Sequence, residues 1–523
     1  IYYLLSCDGK DKDALGLLMD VYYELYMYAE AGEIALKILR LDPQDIASLN
    51  TLGLCYGFLG RQQSAIKAFR LAQKRHPKDP RIMVNLGLAH MRQGDSNEAI
   101  RLFWEALEKE PGNRIFFFNL MFAYSISGAE KCAEMLEAGR EFWDRNANPS
   151  NQVVAMERSL VASRFKNKDV DVPKLQAPEN SNNETHYQRL PSVCSNVCRT
   201  IKIGIVSSDL GQHCVETAYC LQGMAIEEAR RAVKLRNYDI LIDCNGYTES
   251  TGIELLAERC APVQAHYIGY HASTAMSTID YFITDEIVVS RDMDWMFSEK
   301  VLRLNRTWLA MTKEDSLPIA EPVATTDRPI FGFFGQVAKI SDDCLRFWSA
   351  ALSASPTALL LLKDRNLGEP LTRKKLIERL QKAGISSERI HILSLTPNWS
   401  DHMMCYNYID VALDSTPWSS ATTAFDALGM GVPLMAIEGD SPSARMSSSV
   451  VHGAGKPEWI CRTPQEYYDL SEYLCANIGE IRCAKHELQR EINQGHLFDV
   501  EQMAREFELA MMRISRPSAS IGA

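Results

Sequence analysis

The chain has 523 residues, 46% of them hydrophobic and 24% charged, with a formal net charge of −11. That length exceeds one hydrophobic core and implies two to four domains, the acidic balance argues against general nucleic-acid binding, and no apolar run long enough for a membrane span is present. The 14 cysteines include no CxxC pair, Cys194 and Cys198 being the nearest at a poor zinc spacing, so scattered reduced thiols in a cytoplasmic protein are expected rather than a disulfide framework.

The first residues, Ile1-Tyr2-Tyr3-Leu4-Leu5, lack Met and a basic n-region, so no signal peptide is expected there. A self-similarity with a step of 34 residues follows. Pro43, Pro77 and Pro111 keep that step, as do Gly53 and Gly87, Gly60 and Gly94, Ala65 and Ala99, Phe69 and Phe103, and Ala72 and Ala106. Small residues at helix crossings, a filling Phe and a terminal Pro at this period are the tetratricopeptide signature. Residues 1–150 are therefore expected to form a helical solenoid of antiparallel pairs. Its first unit is degenerate, with Met19 and Tyr26 at the glycine positions. Its last carries Met121 and Glu137 at core positions, and degenerate flanks suggest capping units. Asn85 and Asn119 share one repeat position, where an amide can bond the backbone of a bound polypeptide. They are the candidate acceptor-binding residues, the alternative being ordinary polar helix positions.

Residues 151–200 are polar, Pro-containing and aperiodic, and read as a linker. From Thr200 short β-branched runs alternate with amphipathic stretches. Strands are expected at 201–207, 240–244, 263–268, 281–283, 330–334, 358–362, 390–394, 411–413 and 433–437. Helices are expected at 344–354, 372–383 and 422–429. This alternation implies parallel sheets with helices on both faces, divided into Rossmann-like units at 201–320 and 321–499 with a cleft between them. A last helix at 500–515 crosses back to the first unit. Between Ser207 and Ile240 only one helix intervenes, where a doubly wound unit has another strand and helix. Residues are expected to be missing near Glu216–Thr217.

The sharpest chemistry lies in 410–433. A strand runs through Ser415-Thr416-Pro417-Trp418-Ser419-Ser420-Ala421 into the helix that starts at Thr422. Ser419 or Ser420 can cap that helix. Its free N–H groups and dipole make an anion site at a strand's carboxyl end, where open α/β folds bind ligands. Thr422 and Thr423 add hydroxyl donors, and Asp426, one turn on, can accept from a ribose hydroxyl. Lys339, after the strand at 330–334, stands at the same edge and can neutralise a phosphate. His213, after the first strand, faces it across the cleft as a base or substrate-binding group. The alternatives are a capped structural helix, a solvated lysine and a structural histidine. Asp292-Met293-Asp294 matches a DxD metal pattern but lies in a polar connection and reads as chance. No Walker loop, GxGxxG fingerprint or zinc signature appears.

The ordered set Ser207-Ser208-Asp209-Leu210-Gly211-Gln212-His213, Asn245-Gly246-Tyr247-Thr248, Ala261-Pro262-Val263-Gln264-Ala265, Ile268-Gly269-Tyr270, Asp280-Tyr281-Phe282-Ile283-Thr284-Asp285 and Leu413-Asp414 before Thr422-Thr423, behind tetratricopeptide repeats, resembles the O-linked N-acetylglucosamine transferase and SPINDLY family, in a bacterial-type member. The resemblance implies two GT-B type Rossmann-like domains. It also implies an inverting, metal-independent transfer from a nucleotide sugar, with UDP-N-acetylglucosamine favoured and no cofactor, to Ser or Thr of cytoplasmic proteins. By position, His213 matches the active-site histidine, Lys339 the lysine on the diphosphate and Gln336 its neighbouring glutamine. His402 matches a histidine at the nucleotide base, and Thr422, Thr423 and Asp426 match the phosphate- and ribose-binding helix start. Three positions depart from the family pattern: Ala421 stands for a histidine, Cys405 for an arginine, and Gly269-Tyr270-His271-Ala272-Ser273-Thr274-Ala275 for Gly-Tyr-Pro-Gly-Thr-Ser-Gly. A different donor is thus an open alternative, GDP-fucose above all. So are an N-linked glucosyltransferase, a nucleotide-sugar hydrolase and a non-catalytic repeat scaffold.

Overall fold

The computed structural model describes residues 11–146, 201–207, 224–248, 251–312, 317–322 and 326–515. The expectations for His213, the connection near Glu216–Thr217, Cys194, Cys198, the linker and the first ten residues lie outside them.

Among the described residues eight helices build the repeats: α1 (Lys12–Glu24), α2 (Tyr28–Leu41), α3 (Ile46–Phe58), α4 (Gln62–Arg75), α5 (Pro80–Met91), α6 (Ser96–Lys109), α7 (Arg114–Ser125) and α8 (Cys132–Asn146). The 34-residue step reaches their ends. Asp11, Asp45, Asp79 and Asn113 cap the first helix of each pair, each side chain accepting from N–H groups of the first turn. Gly53 and Gly87 recur because the rings of Phe69 and Phe103 occupy the space a Cβ would need. Gly60, Gly94 and Gly128 recur because the turn between paired helices takes a positive φ, of 74°, 81° and 106°. Tyr26 holds the same place in the first unit at φ 60°, a conformation that costs a residue with a Cβ about 1–2 kcal/mol.

The first sheet contains β1 (Ile203–Val206), β2 (Ile240–Asp243), β3 (Val263–Tyr267), β4 (Tyr281–Asp285) and β5 (Lys300–Leu304), parallel and in sequence order, with α9 (Ile226–Lys234) between β1 and β2. The second contains β6 (Ile330–Phe333), β7 (Leu359–Leu362), β8 (Ile390–Ile392), β9 (Val411–Leu413), β10 (Leu434–Ile437) and β11 (Ile460–Cys461). All its pairs are parallel, in the order β11-β10-β9-β6-β7-β8. Its helices are α10 (Asp342–Ala354), α11 (Pro370–Lys382), α12 (Trp399–Met404), α13 (Thr422–Gly429), α14 (Met446–Gly453), α15 (Pro464–Ala476) and α16 (Ile478–Gln494). The last helix among the described residues is α17 (Val500–Ile514).

Alternate strand residues divide between two cores, as the period of a strand requires. Phe331, Phe333, Leu360, Leu362, Val411, Leu413, Met435 and Ile437 pack under α10, α11 and α15. Ile330, Leu361, Ala412, Leu434 and Ala436 face α13, α14 and α16. On the first sheet, α17 covers Ile240, Ile242, Ala265, Ile283 and Leu304.

The repeats do not stand apart from the α/β half. Leu241, Tyr247, Tyr270 and Ala275 share a core with Phe117, Leu120, Met121, Phe142 and Trp143. Trp143 Nε1 donates to Tyr247 Oη at 2.8 Å, Tyr270 Oη donates to the Met121 carbonyl at 3.1 Å, and Arg114 pairs with Glu254 at 2.6 Å. The second sheet's side is held as well. Glu369 accepts from the N–H groups of Gln63 and Ser64 at 3.1 Å each and from Ser64 Oγ at 2.7 Å. It caps α4, whose own N-cap, Arg61, makes no side-chain cap bond.

Candidate functional site

In the second sheet the strand order reverses between β6 and β9, and the crevice beyond their carboxyl ends is where open α/β sheets bind ligands. Two connections meet there. After β6 the chain passes Gln336, which is exposed, and enters a single 3₁₀ turn, Val337–Lys339. Asp364, at the end of β7, holds that turn by accepting the Val337 N–H. The Lys339 ammonium donates to the Ser419 carbonyl at 2.9 Å and lies over the Trp418 ring, 4.7 Å from its centre. Burial pulls its pKa down to about 8, against the opposing pull of the Asp414 carboxylate.

After β9 the chain turns through Asp414, which is fully buried. Its carboxylate accepts from the Ser420 N–H at 2.9 Å, the Ile437 N–H at 3.0 Å and Ser447 Oγ, and Trp348 Nε1 holds its carbonyl at 2.7 Å. Burial raises its carboxyl above the ordinary range despite those donors. The loop thus fixed delivers α13. The expected serine cap is not there. Ser419 Oγ donates to the Ser443 carbonyl and accepts from Met446, and the N-cap of α13 is Ala421, which has no acceptor. Ala424 and Phe425 bond the Ala421 carbonyl, while the N–H groups of Thr422 and Thr423 have no partner among the described residues. The helix start is therefore an open donor pair, three residues past the Ser419 carbonyl that holds the Lys339 ammonium, with the partial positive charge of a helix N-terminus.

Asp426, further along α13, makes no side-chain hydrogen bond among the described residues, and burial raises its carboxyl to about 6. His402, on α12, lies with its ring 6.3 Å from Phe334 and 5.9 Å from Tyr406. Its Nδ1 is 2.5 Å from the ammonium of Lys363, which also donates to Thr396 Oγ1 at 3.0 Å. Burial, and then Lys363, lower the His402 pKa. Cys405, where the family pattern has arginine, donates to the Asp401 carbonyl at 3.3 Å.

Lys339, Gln336, Thr422, Thr423, Asp426 and His402 are thus all carried on connections leaving β6, β8 and β9 at one sheet edge. Asn85 and Asn119 lie elsewhere, on α5 and α7. Asn85 donates to Asn50 Oδ1 at 2.7 Å, and Asn119 to the Ile115 carbonyl of its own helix at 2.9 Å. On the first sheet, the loop after β3 carries His271 edge-on against Trp308, with ring centres 4.5 Å apart. Burial, with the charges of His266 and Lys339, takes the His271 pKa down to about 3. The buried pair His266 and Asp243 anchors that loop: His266 Nδ1 meets Asp243 at 2.7 Å and Nε2 meets the Tyr270 carbonyl at 2.8 Å. Asp292 and Asp294 lie on a 3₁₀ turn between β4 and β5, where Asp294 pairs with Arg303. Lys363 escapes the sequence reading, and Asp414 enters it only as part of the resemblance, with no role. Asp414 had one available signal, a carboxylate closing a hydrophobic strand before Ser-Thr-Pro.

The model of glycosyl transferase family 41 matches residues 228–319 and 323–507, over half of the chain, and a tetratricopeptide repeat model matches residues 46–79. The probable UDP-N-acetylglucosamine–peptide N-acetylglucosaminyltransferase SPINDLY of Petunia hybrida is 27% identical over 290 residues, covering 55% of this chain and 31% of its own length. The probable enzyme of the same description named SEC, from Arabidopsis thaliana, is 25% identical over 407 residues, covering 68% of this chain and 40% of its own. The chain therefore spans about a third of the length of the SPINDLY relative. Among solved structures, a mutant O-GlcNAc transferase of Thermobaculum terrenum shares the fold, with a TM-score of 0.77 at 24% identity over 97% of this chain and 98% of that one. The architecture is thus a tetratricopeptide solenoid followed by a GT-B pair of parallel α/β units. With over half of its length matched and its open donor pair at the switch point of the second sheet, the chain belongs to glycosyl transferase family 41.

Proposed function

We propose that this chain is an inverting protein O-glycosyltransferase that moves N-acetylglucosamine from UDP-N-acetylglucosamine to Ser or Thr of cytoplasmic polypeptides held along the repeats. The observation that carries the reading is that the Lys339 ammonium is held on the loop that leads into the uncapped start of α13. The relatives' names, peptide N-acetylglucosaminyltransferases using UDP-N-acetylglucosamine, support donor and acceptor class.

In this reading the acceptor hydroxyl attacks the anomeric carbon from the face opposite the diphosphate. A carbon–oxygen bond forms to the acceptor, the bond to phosphate breaks, and the electron pair leaves on the diphosphate. Lys339 and the N–H groups of Thr422 and Thr423 are aimed at that charge, with Gln336 beside them. A fixed donor of this kind is worth about 3–4 kcal/mol of barrier. His213 orients the acceptor or takes its proton. Asp426 accepts from the ribose, His402 lies on the base, and no metal is needed in the step. Asn85 and Asn119 hold the acceptor backbone once their internal bonds are exchanged.

The test is intact-mass analysis of a Ser/Thr peptide library after incubation with UDP-N-acetylglucosamine or with GDP-fucose, each with and without EDTA. A gain of one N-acetylhexosamine on Ser or Thr, unchanged by EDTA, is expected. Fucose transfer, sugar on Asn, free sugar alone or no turnover would each replace the reading with a named alternative.

A further inference from the structure

Lys363 stands one residue beyond β7 and is 5% exposed. Its ammonium meets neutral acceptors: Thr396 Oγ1 at 3.0 Å, His402 Nδ1 at 2.5 Å and the thiol of Cys405. The adjacent Asp364 carboxylate is turned away, to the N–H groups of Val337 and Asn366. Asp401, on the same helix as His402, accepts from Asn398.

An ammonium has three N–H donors and no lone pair, so the imidazole nitrogen facing it has to accept. An imidazolium has no lone pair to offer, and a second cation at this distance is repelled. His402 is thereby neutral, with its one ring proton on Nε2. That nitrogen has no partner among the described residues. The rings of Phe334 and Tyr406 flank His402, and the Asp426 carboxylate lies within electrostatic reach of Tyr406.

We propose that Lys363 is a positioning residue of the nucleotide site, holding His402 as the neutral Nε2–H tautomer so that the ring offers a base one N–H donor and an uncharged face. The proposal rests on the nucleotide-sugar reading above. It also accounts for Cys405. With the Cys405 thiol committed to the Asp401 carbonyl, the donor available to a carbonyl or ring nitrogen of the base is His402 Nε2–H. The selectivity of this end then depends on a tautomer set from behind by a lysine.

The experiment is long-range proton–nitrogen NMR on the full chain labelled at histidine nitrogens. The His402 signals are assigned by their loss in His402→Gln and followed from pH 5 to pH 8 in wild type, Lys363→Met and Lys363→Arg. UDP affinity of each is measured by calorimetry at pH 7.5, above the Asp426 titration. Wild type is expected to show Nδ1 bare, Nε2 protonated and no ring titration down to pH 5. Lys363→Met is expected to mix tautomers, titrate near the ordinary histidine value of about 6.5 and bind UDP about tenfold more weakly, the scale of one lost charge-assisted hydrogen bond. Lys363→Arg, which keeps a donor, should restore both. A proton on Nδ1 in wild type, or an unchanged His402 titration in Lys363→Met, overturns the proposal. Wild type that binds neither UDP nor GDP overturns the nucleotide reading instead, and the positioning role with it, whatever the tautomer.

Discussion

Gly94 allows the coupling between repeats and catalytic half to be tested by a single methyl group. It sits in the turn between α5 and α6 at φ 81°, and a Cβ there would lie 2.8 Å from the Ala338 carbonyl, in the turn that carries Lys339. Gly60 is its counterpart one repeat earlier, at φ 74°, with the Arg365 carbonyl and Asn366 Oδ1 each at 3.3 Å. Gly94→Ala and Gly60→Ala therefore share one backbone penalty, about 1–2 kcal/mol for a Cβ in the left-handed region. They differ in what the methyl strikes. Gly60→Ala asks a few tenths of an ångström of its neighbours. Gly94→Ala has to move the Lys339 turn by roughly half an ångström. Displacing a catalytic group by about 1 Å costs on the order of 100-fold in rate, so a tenfold loss of turnover is expected in Gly94→Ala and less than twofold in Gly60→Ala. Thermal unfolding and steady-state transfer to a Ser/Thr peptide measure the two effects separately. Equal turnover in the two variants, at equal loss of stability, would refute the claim that the repeat turn bears on Lys339.

Lys339→Met should abolish transfer with the fold retained, as read by circular dichroism. Its stability relative to wild type should also vary with pH. The folded lysine titrates near 8 against the ordinary 10.5, so the cost of its buried charge is present below pH 8 and lost as pH rises toward 10.5. Any stabilisation by methionine at pH 7 should therefore shrink by pH 10, while wild-type turnover declines above pH 8; a pH-independent difference in melting temperature would contradict this. Glu369→Ala removes three hydrogen bonds from the start of α4 and should cost about 2 kcal/mol, with faster amide exchange confined to residues 62–75. Unchanged exchange there would mean that the repeats are held without it. Asp414→Ala leaves the Ser420 and Ile437 N–H groups and the Ser447 hydroxyl without their acceptor. It should lower stability by about 3 kcal/mol and weaken UDP binding, because the loop before α13 loses its anchor. UDP affinity equal to wild type would show that the loop is fixed by other means.

Much of the fold is legible because its signals are local. The repeat period marks positions where a ring, a cap or a positive φ leaves little choice of residue, and the structure extends the same step to Asp11, Asp45, Asp79 and Asn113. Nine expected strands fall at observed ones because each is a short aliphatic or β-branched run bounded by polar or turn residues. The strand Lys300–Leu304 escapes because it lies at the sheet edge and alternates Lys, Val, Leu, Arg and Leu, a pattern shared with a solvated connection. Ile460–Cys461 is too short to carry any pattern.

The site divides along the same line. Residues on the connection after a strand, such as Lys339 and Thr422, are visible in sequence because a parallel sheet brings every strand's carboxyl end to one edge. What sets their chemistry is brought together from several connections. Lys363 reaches His402 from another strand's end, and Asp414 binds groups six, 23 and 33 positions ahead. Gly94 touches Ala338 across the junction between solenoid and sheet. The serine cap expected for α13 fails for a related reason. Ser419 is offered a better partner by Ser443 and Met446, a competition among distant segments that no local propensity encodes. Its outcome, an alanine at the N-cap, is what leaves the Thr422 and Thr423 N–H groups open. The absence of a cap and the presence of a donor pair for a diphosphate are thus one structural fact, and a polar capping side chain at 421 would be expected to compete with the ligand for the same N–H groups.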